Sequence, residues 1–359
     1  MSQCCADCFS DEYLRKVIQT DGMPGDCDFC DAKNTQVIDV EKLATYFDPV
    51  ISLYTAQVEF MWLDQLKECE GRFIWEVLAE DWDIFDDWER GREIIEAMYE
   101  WSDPSEERPL FLDNYVDKEE EYYGTENEFS DKLERDWLTF CDEISRRHRF
   151  FPQTKFDLDL LSEILSFSEY RIQANQQLFR ARLCDEKKLP PRKMGPPPPD
   201  KAVDGRANPG GIAYLYLASD AETAISEVRP QLENRVTVGK FKTQREIRIV
   251  DLRDPHVGSP FRWGDRLEFV LKVQGFLRRL GLALSEPVGR TESVLNYLYY
   301  LPTQYLCEFI RHEGYDGVSY RSRLGKGHNT VLFDPVTARC ISTRLYRVKS
   351  LDVTPDEMK

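Results

Sequence analysis

Apolar residues recur at helical spacing through "DVEKLATYFDPVISLYTAQVEFMWLDQL", through "GREIIEAMYEW" and again through "FSDKLERDWLTFCDEISRRHRFF". That periodicity predicts a mainly helical segment over residues 37–165. Ser130 or Asp131 is placed to cap the last of these helices. Past residue 165 the texture changes. "YRIQANQQLFRARL" reads as a strand behind a helix end, and "REIRIVDLR" and "TVLFDP" read as further strands. In "GRANPGGIAYLYLASDAETAISE", residues 205–227, a glycine-rich turn feeds an apolar strand and the strand a helix. Ser219 and Glu222 form the pattern of a capping box, which starts that helix at about Asp220. Its buried stripe is Ala221, Ala224, Ile225 and Val228, and Glu227 falls on a flank with Thr223 and Asp220. "TQYLCEFIRHEG" reads as an amphipathic helix ending at Gly314. "LPPRKMGPPPPD", residues 189–200, has no periodicity and suits neither a helix nor a central strand. It reads either as a linker or as a long ordered loop inside one domain. Mixed strands and helices over residues 166–350 argue an α+β fold there, behind a mainly α-helical front half.

Charge divides the chain in the same way. The net charge of the 359 residues is −18. Residues 81–140 carry 21 Asp+Glu against 6 Lys+Arg, whereas residues 170–349 carry 30 Lys+Arg against 19 Asp+Glu. The basic half suits an anionic ligand, because a positive cleft concentrates anions. The acidic half, with loops such as "DKEEEYYGTENE", argues against a nucleic-acid partner. Two differently solvated surfaces explain the same asymmetry. No apolar run is long enough to span a bilayer, so no membrane segment is expected. "MSQCCADCFSDE" lacks a basic region followed by an apolar stretch, and a cytoplasmic location is the expectation.

The cysteines narrow the picture at the front of the chain. "CCADC" holds Cys4, Cys5 and Cys8, and "CDFC" holds Cys27 and Cys30. Cys5 with Cys8 and Cys27 with Cys30 make two C-x-x-C pairs separated by 18 residues. Four soft ligands in two such turns are what a tetrahedral structural zinc site needs, and residues 1–36 read as a small zinc module. Disulfides are the weaker reading. Cys4 can stand in for Cys5 on spacing alone. Cys69, Cys141, Cys184, Cys307 and Cys340 stand singly and read as small buried hydrophobes.

Candidate chemistry lies in the second half. Arg180 interrupts the apolar strand "LFRAR", where a charge needs a partner or an anion. Tyr216 sits at the end of the next strand and Glu227 on the flank of its helix. "GYDGVSYRSRLGKGHNTVLF" places Ser322 after a strand and Asn329 before the next. Each has a plain structural explanation too: an ion pair for Arg180, a solvated charge for Glu227, core packing for Tyr216, turn geometry for Arg206 and Asn208.

Taken in order, "LFRAR" with Arg180, "GRANPGG", "YLASDAETAISE" with Tyr216 and Glu227, "GYDGVSYRS" with Ser322 and "NTVLF" with Asn329 resemble the RES family, named for its Arg, Glu and Ser. The resemblance covers about residues 166–345. The front half, residues 37–165, is similar to the zinc-bearing helical domains that precede RES domains and are related to the HEPN group. HEPN ribonucleases carry an Arg and a His with four to six residues between them. His148 has no such Arg, and Arg323 with His328 fits only formally, inside the RES half, so a nuclease is not expected. The resemblance implies an ADP-ribosyltransferase-like fold over residues 166–350 and an enzyme that consumes NAD, as in bacterial toxins or defence effectors that cleave the nicotinamide–ribose bond by hydrolysis or phosphorolysis. Transfer of ADP-ribose to a protein, or a non-catalytic NAD-binding module, are the alternatives. On this reading Glu227 stabilises the developing positive charge, Arg180 and Arg206 bind the pyrophosphate, and Tyr216 packs on nicotinamide or orders the ribose. Ser322 and Asn329 donate hydrogen bonds to phosphate or carboxamide. Ser322 is not read as a nucleophile, because no base with an orienting acid accompanies it. NAD as substrate, a structural zinc and a protein antitoxin or regulator are the expected partners, and self-association is left open.

Overall fold

In a computed structural model of the protein, the described residues are 2–56, 72–99, 109–113, 116–118, 128–286 and 296–350. The chain divides into two compact units, Met1–Ser130 with His256–Gln274, and Asp131–Pro255 with Gly275–Lys359.

The first unit begins with a three-stranded antiparallel sheet of β1 (Gln3–Cys5), β2 (Met23–Gly25) and β3 (Thr35–Asp39), in the order β1-β3-β2. Between β1 and β2 lies the helix Glu12–Asp21, capped by Asp11, whose carboxylate accepts from the Leu14 amide. The helical reading from residue 37 onward is corrected here. Val37 and Ile38 belong to β3, paired with Cys5 and Cys4 of β1. β-branched side chains favour the pleated surface, and here the neighbouring strands also satisfy the backbone. Asp39 then accepts from the Glu41 amide and opens a 3-10 turn, so the α-helix is confined to Ala44–Ile51. It is followed by β4 (Tyr54–Ala56), which pairs with β5 (Val116–Lys118). The remainder of that stretch, Cys69 and most of the acidic "DKEEEYYGTENE" lie outside the described residues. Helices Ile74–Glu80 and Trp88–Met98 follow, the latter where "GREIIEAMYEW" predicts one. Phe47 ties the core together, with ring centroids 6.4 Å from Phe9, 6.1 Å from Phe85 and 4.8 Å from Phe261.

In the second unit, the helix expected near residues 130–146 begins earlier, at Glu128. Ser130 and Asp131 therefore lie inside it and not at its N-cap position; Ser130 is fully buried. Trp137 packs against Phe140, Phe156, Phe276 and Tyr305. After helix Leu158–Ser166, the single strand read from "YRIQANQQLFRARL" is two strands, β6 (Glu169–Ile172) and β7 (Gln177–Cys184). Asn175, with φ 67°, makes the turn between them, a left-handed position that Asn tolerates. These strands join β8 (Leu215–Ala218), β9 (Arg235–Thr243), β10 (Ile247–Asp251), β11 (Gly317–Arg321), β12 (His328–Leu332) and β13 (Ala338–Arg347). The eight-stranded sheet runs β13-β9-β7-β8-β12-β11-β10-β6. Only β10 and β11 pair in parallel; the other neighbours are antiparallel. The α+β reading holds. Among the described residues, no helix is long and apolar enough to cross a membrane.

The proline-rich segment is an ordered loop and not a linker. It forms two 3-10 turns, Pro191–Lys193 and Pro199–Lys201, which need few amide donors and so suit proline. Between them Met194 is fully buried among Leu178, Leu215, Leu217 and Phe241 of the sheet. Arg182 donates to the Gly195 carbonyl and Thr237 Oγ1 accepts from the Leu189 amide at 3.1 Å. Met194→Ala is therefore expected to destabilise the second unit by about 2–5 kcal/mol, the usual range for truncating a buried methionine. Denaturant unfolding of the full chain checks this, and an unchanged midpoint would show that the loop does not hold the sheet.

Candidate functional site

β7 and β8 are neighbours in the sheet but meet only at Phe179 opposite Ala218. β7 otherwise pairs along its length with β9, and β8 with β12. Where β7 and β8 part, two cavities of about 260 and 320 Å³ open. They share Arg180, Tyr216, Glu227 and Tyr320 as walls. The smaller is otherwise lined by apolar groups such as Phe179, Ala181 and Val228, with Asn329. The larger is lined by the loop from Pro197 to Ala213, including Asp204, Arg206 and Asn208.

Glu227 ends the helix Ala221–Glu227. The expected capping box is corrected: Asp220 is the cap, and its carboxylate accepts from the Thr223 amide at 2.7 Å. Ser219 instead donates to Asp220 and accepts from the His328 amide. Asp220 can do this because one carboxylate takes three donors at once, the third being the Thr223 hydroxyl. Those bonds hold its pKa below the usual carboxylate range, against the burial that raises it. The expected apolar stripe is present, with Ala224 buried and Ala221, Ile225 and Val228 packed about it.

At the other end of the helix, Glu227 Oε1 accepts from Ser322 Oγ at 2.6 Å and from Asn329 Nδ2 at 2.6 Å. Three residues proposed from sequence thus converge on one oxygen. Ser322 Oγ in turn accepts from the amides of Leu324 and Gly325. A hydroxyl that donates to a carboxylate while accepting from two amides orients that carboxylate. The loop is pressed onto the helix start, where the Gly327 amide donates to Thr223 Oγ1. A β-carbon on Gly327 would come within 2.2 Å of Ser219 Oγ and 2.3 Å of Asp220 Oδ2, so only glycine fits there.

The other expected site residues divide. Arg180 is half-buried at both cavities, and its Nη1 is buried with no hydrogen-bond partner. Burial first, and then the neighbouring charge of Arg182, lower its pKa to about 10. A guanidinium kept in that condition is ready for an anion. Tyr216 also lines both cavities, but its hydroxyl is engaged: it donates to Asn208 Oδ1 at 2.7 Å and accepts from the Ala207 amide at 3.1 Å. Only its ring is left to meet a ligand. Arg206 stands at the larger cavity, yet its Nη1 donates to the carbonyls of Leu284 and Ser285, at the end of helix Leu267–Ser285. It is an interaction with the negative end of that helix. Asn208 is buried and its amide donates to the carbonyls of Val203, Pro209 and Ile212. Gly205 lies against this knot, where a β-carbon would meet Asn208 Oδ1 at 2.5 Å and Tyr216 Oη at 2.8 Å.

Several contributors were not singled out from sequence. Tyr320 is one; its place in "GVSYR", a strand of alternating residues, is the only signal for it. Thr303 and Gln304 are others. From helix Asn296–His312 they donate to the carbonyls of Arg206, Gly205 and Asn208 and fix the loop. Polar residues in "TQYLCEFI" give no hint of that partner. Gly314 follows this helix with φ 79°, as its capping role predicts. His328, formally part of an Arg-His pair with Arg323, instead places Nε2 at 3.3 Å from Arg253 Nη1. Burial, and then the charge of Arg253, lower its pKa.

The first unit carries a second constellation. The sulfurs of Cys5, Cys8, Cys27 and Cys30 all lie within 4.8 Å of one another. Cys5 is 3.5 Å from Cys30 and 3.9 Å from Cys8, and Cys8 is 3.5 Å from Cys27. A tetrahedron of metal–sulfur bonds of about 2.3 Å has edges of roughly 3.8 Å, so the four sulfurs suit one ion. Cys4 is fully buried and outside the cluster, because adjacent strand residues face opposite ways. Burial, then the hydrogen bond with Cys30, push the Cys5 thiol up to about 11. The Phe29 amide donates to Cys27 Sγ at 3.4 Å. Among the single cysteines, Cys141 and Cys307 are buried as expected, whereas Cys184 and Cys340 are partly exposed.

The close fit at Gly327 gives a direct test of the loop. Gly327→Ala is expected to cost about 1–3 kcal/mol, as overpacking does. It should also loosen Ser322 and Asn329 from Glu227. Unfolding midpoints, with solution NMR of the Asn329 side-chain amide, check both effects.

Residues 177–354 match the RES domain, and residues 20–157 match HEPN/RES N-terminal domain 1. No curated protein matches the chain. Among solved structures, it is similar to one titled "Crystal structure of the M.tuberculosis MbcT-MbcA toxin-antitoxin complex", at 12% identity and a TM-score of 0.32, over 52% of this chain and 92% of that one. The chain is a RES domain protein with a HEPN/RES N-terminal domain ahead of the RES domain.

Proposed function

We propose that the protein consumes NAD by cleaving the bond between nicotinamide and ribose. The observation that carries this reading is Glu227. Its Oε1 is fixed by Ser322 and Asn329, while Oε2 takes no bond from the described residues and is left for a ligand. In the reaction the pyridinium nitrogen leaves with the bonding electron pair as neutral nicotinamide. The ribose C1 and ring oxygen then share a positive charge. A carboxylate aimed at the ribose stabilises that charge and holds the 2′-hydroxyl. Water, or an oxygen of inorganic phosphate, closes the new bond at C1, and with water the proton is lost to solvent.

The second support is Arg180, which lines both cavities and whose Nη1 is buried without a hydrogen-bond partner; its guanidinium suits the pyrophosphate. Arg206 is assigned a supporting role, since its Nη1 holds a helix end. The RES family, as a source of NAD-degrading toxins, agrees with this chemistry. A protein antitoxin that covers the cleft is the regulator this reading entails.

The cysteine cluster would hold a structural zinc, since four sulfurs leave no open position for a substrate. Bound zinc would fix the two C-x-x-C turns to each other. Metal analysis of protein purified without chelator should give about one zinc per chain, and its removal should lower the melting temperature of the first unit. Substoichiometric metal would count against the site.

The purified full chain is expected to release nicotinamide from NAD. Glu227→Ala should cut that release by about a hundredfold or more, the effect of removing a principal electrostatic stabiliser, with the fold intact by circular dichroism. Unchanged turnover in this variant would sink the mechanism. Mass spectrometry of the products separates ADP-ribose, its phosphate and ADP-ribosylated protein. NAD binding without turnover in the wild type would favour a sensor module instead.

A further inference from the structure

The four side chains shared by the two cavities are not equivalent. Glu227 is held by Ser322 and Asn329, and Tyr216 has given its hydroxyl to Asn208 and Ala207. Arg180 keeps a free Nη1. The fourth is Tyr320, only 2% exposed, whose hydroxyl has no hydrogen bond from any of the described residues. A phenol hydroxyl seeks such a partner. Tyr320 lines both cavities, so a molecule that enters them can supply it.

Register explains why it is there. Tyr320 of β11 is directly opposite Asn329 of β12, Asn329 is opposite Ala218 of β8, and Ala218 is opposite Phe179 of β7. Directly paired residues project from the same face of a sheet. Tyr320 is thus fixed on the face where Asn329 holds Glu227, one strand further from the gap. Burial raises its pKa, and the charges of Arg206 and Glu227 are both felt there. The phenol is therefore kept neutral, with one proton to donate and lone pairs to accept.

Resting on the reading of this cleft as an NAD-cleaving site, we propose that Tyr320, and not Tyr216, is the tyrosine whose hydroxyl contacts the substrate, by hydrogen-bonding the ribose held at Glu227. A ribose hydroxyl both donates and accepts, which is what a neutral phenol can match. The ribose is also the group that must lie beside the carboxylate if C1 is to gain positive charge there. Tyr216 then serves the site through its ring and through the loop that its hydroxyl ties down.

The test compares Tyr320→Phe with Tyr216→Phe in the full chain, reading melting temperature without ligand and the kinetics of nicotinamide release from NAD. Tyr320→Phe keeps the ring and loses no hydrogen bond to protein. It should melt at or above the wild-type temperature while kcat/KM falls about tenfold, the scale of one hydrogen bond to substrate. Tyr216→Phe removes two protein hydrogen bonds and should melt lower than the wild type. Separate kcat and KM values show whether the Tyr320 contact forms with the ground state or strengthens in the transition state. An active wild type with Tyr320→Phe equal to it in kcat and KM overturns the proposal and leaves the NAD reading standing. So does a Tyr320→Phe melting loss as large as that of Tyr216→Phe, which would mark a structural hydroxyl. A wild type that neither cleaves NAD nor shifts its melting temperature with NAD overturns the underlying reading, and this proposal with it.

Discussion

A single carboxylate oxygen, Oε1 of Glu227, joins the end of a helix to a loop and to a strand about a hundred residues further on. Ser322 and Asn329 reach it with hydroxyl and amide donors, and each is itself fixed by its surroundings. Ser322 is held by two loop amides, and Asn329 by its place in β12 between β8 and β11. A charge-assisted hydrogen bond is about twice as strong as a neutral one, so two of them define the orientation of the carboxylate. One oxygen is occupied by the scaffold, and the other takes no hydrogen bond from the described residues, on a side chain that lines both cavities.

Around it, the protein resolves a conflict between close approach and open space. The sheet must be continuous to be stable, yet the site needs a gap. Pairing β7 with β9 and β8 with β12, while β7 and β8 meet at one point, supplies both. The loop over Gly205–Gly211 fills part of the opening and is stiffened from within by Asn208 and from outside by Thr303 and Gln304. Rigid supports of this kind are what hold reacting groups in place.

Much of this was legible in the sequence. The order of Arg180, Glu227, Ser322 and Asn329 indicated a common site, and the last three meet at one oxygen. The paired C-x-x-C spacing indicated the sulfur cluster, and backbone alternation decides between Cys4 and Cys5. What sequence did not convey was the use of each polar group. Arg206 and Tyr216 are of the right type and near the cleft, but their hydrogen bonds go to Leu284, Ser285, Asn208 and Ala207. Those partners lie at other places in the fold and leave no local trace. The same holds for residues 37–39, whose apolar spacing suits a helix. The strand prevails there because β1 and β2 flank it, and that is a tertiary fact. Met194 is the clearest case, since nothing in "LPPRKMGPPPPD" says that its one large apolar side chain enters a sheet core.

The sequence distance across the Glu227 contacts also sets an order of assembly. Helix Ala221–Glu227 and its strand can form from local interactions, but the donors for Glu227 lie 95 and 102 residues away. Contacts of such long range form slowly, because the intervening chain must first be organised. A chain that ends before Ser322 has a helix and a carboxylate but no oriented site. Orientation of the carboxylate is thereby coupled to completion of the sheet, and a partly folded molecule carries the parts of the cleft without their arrangement.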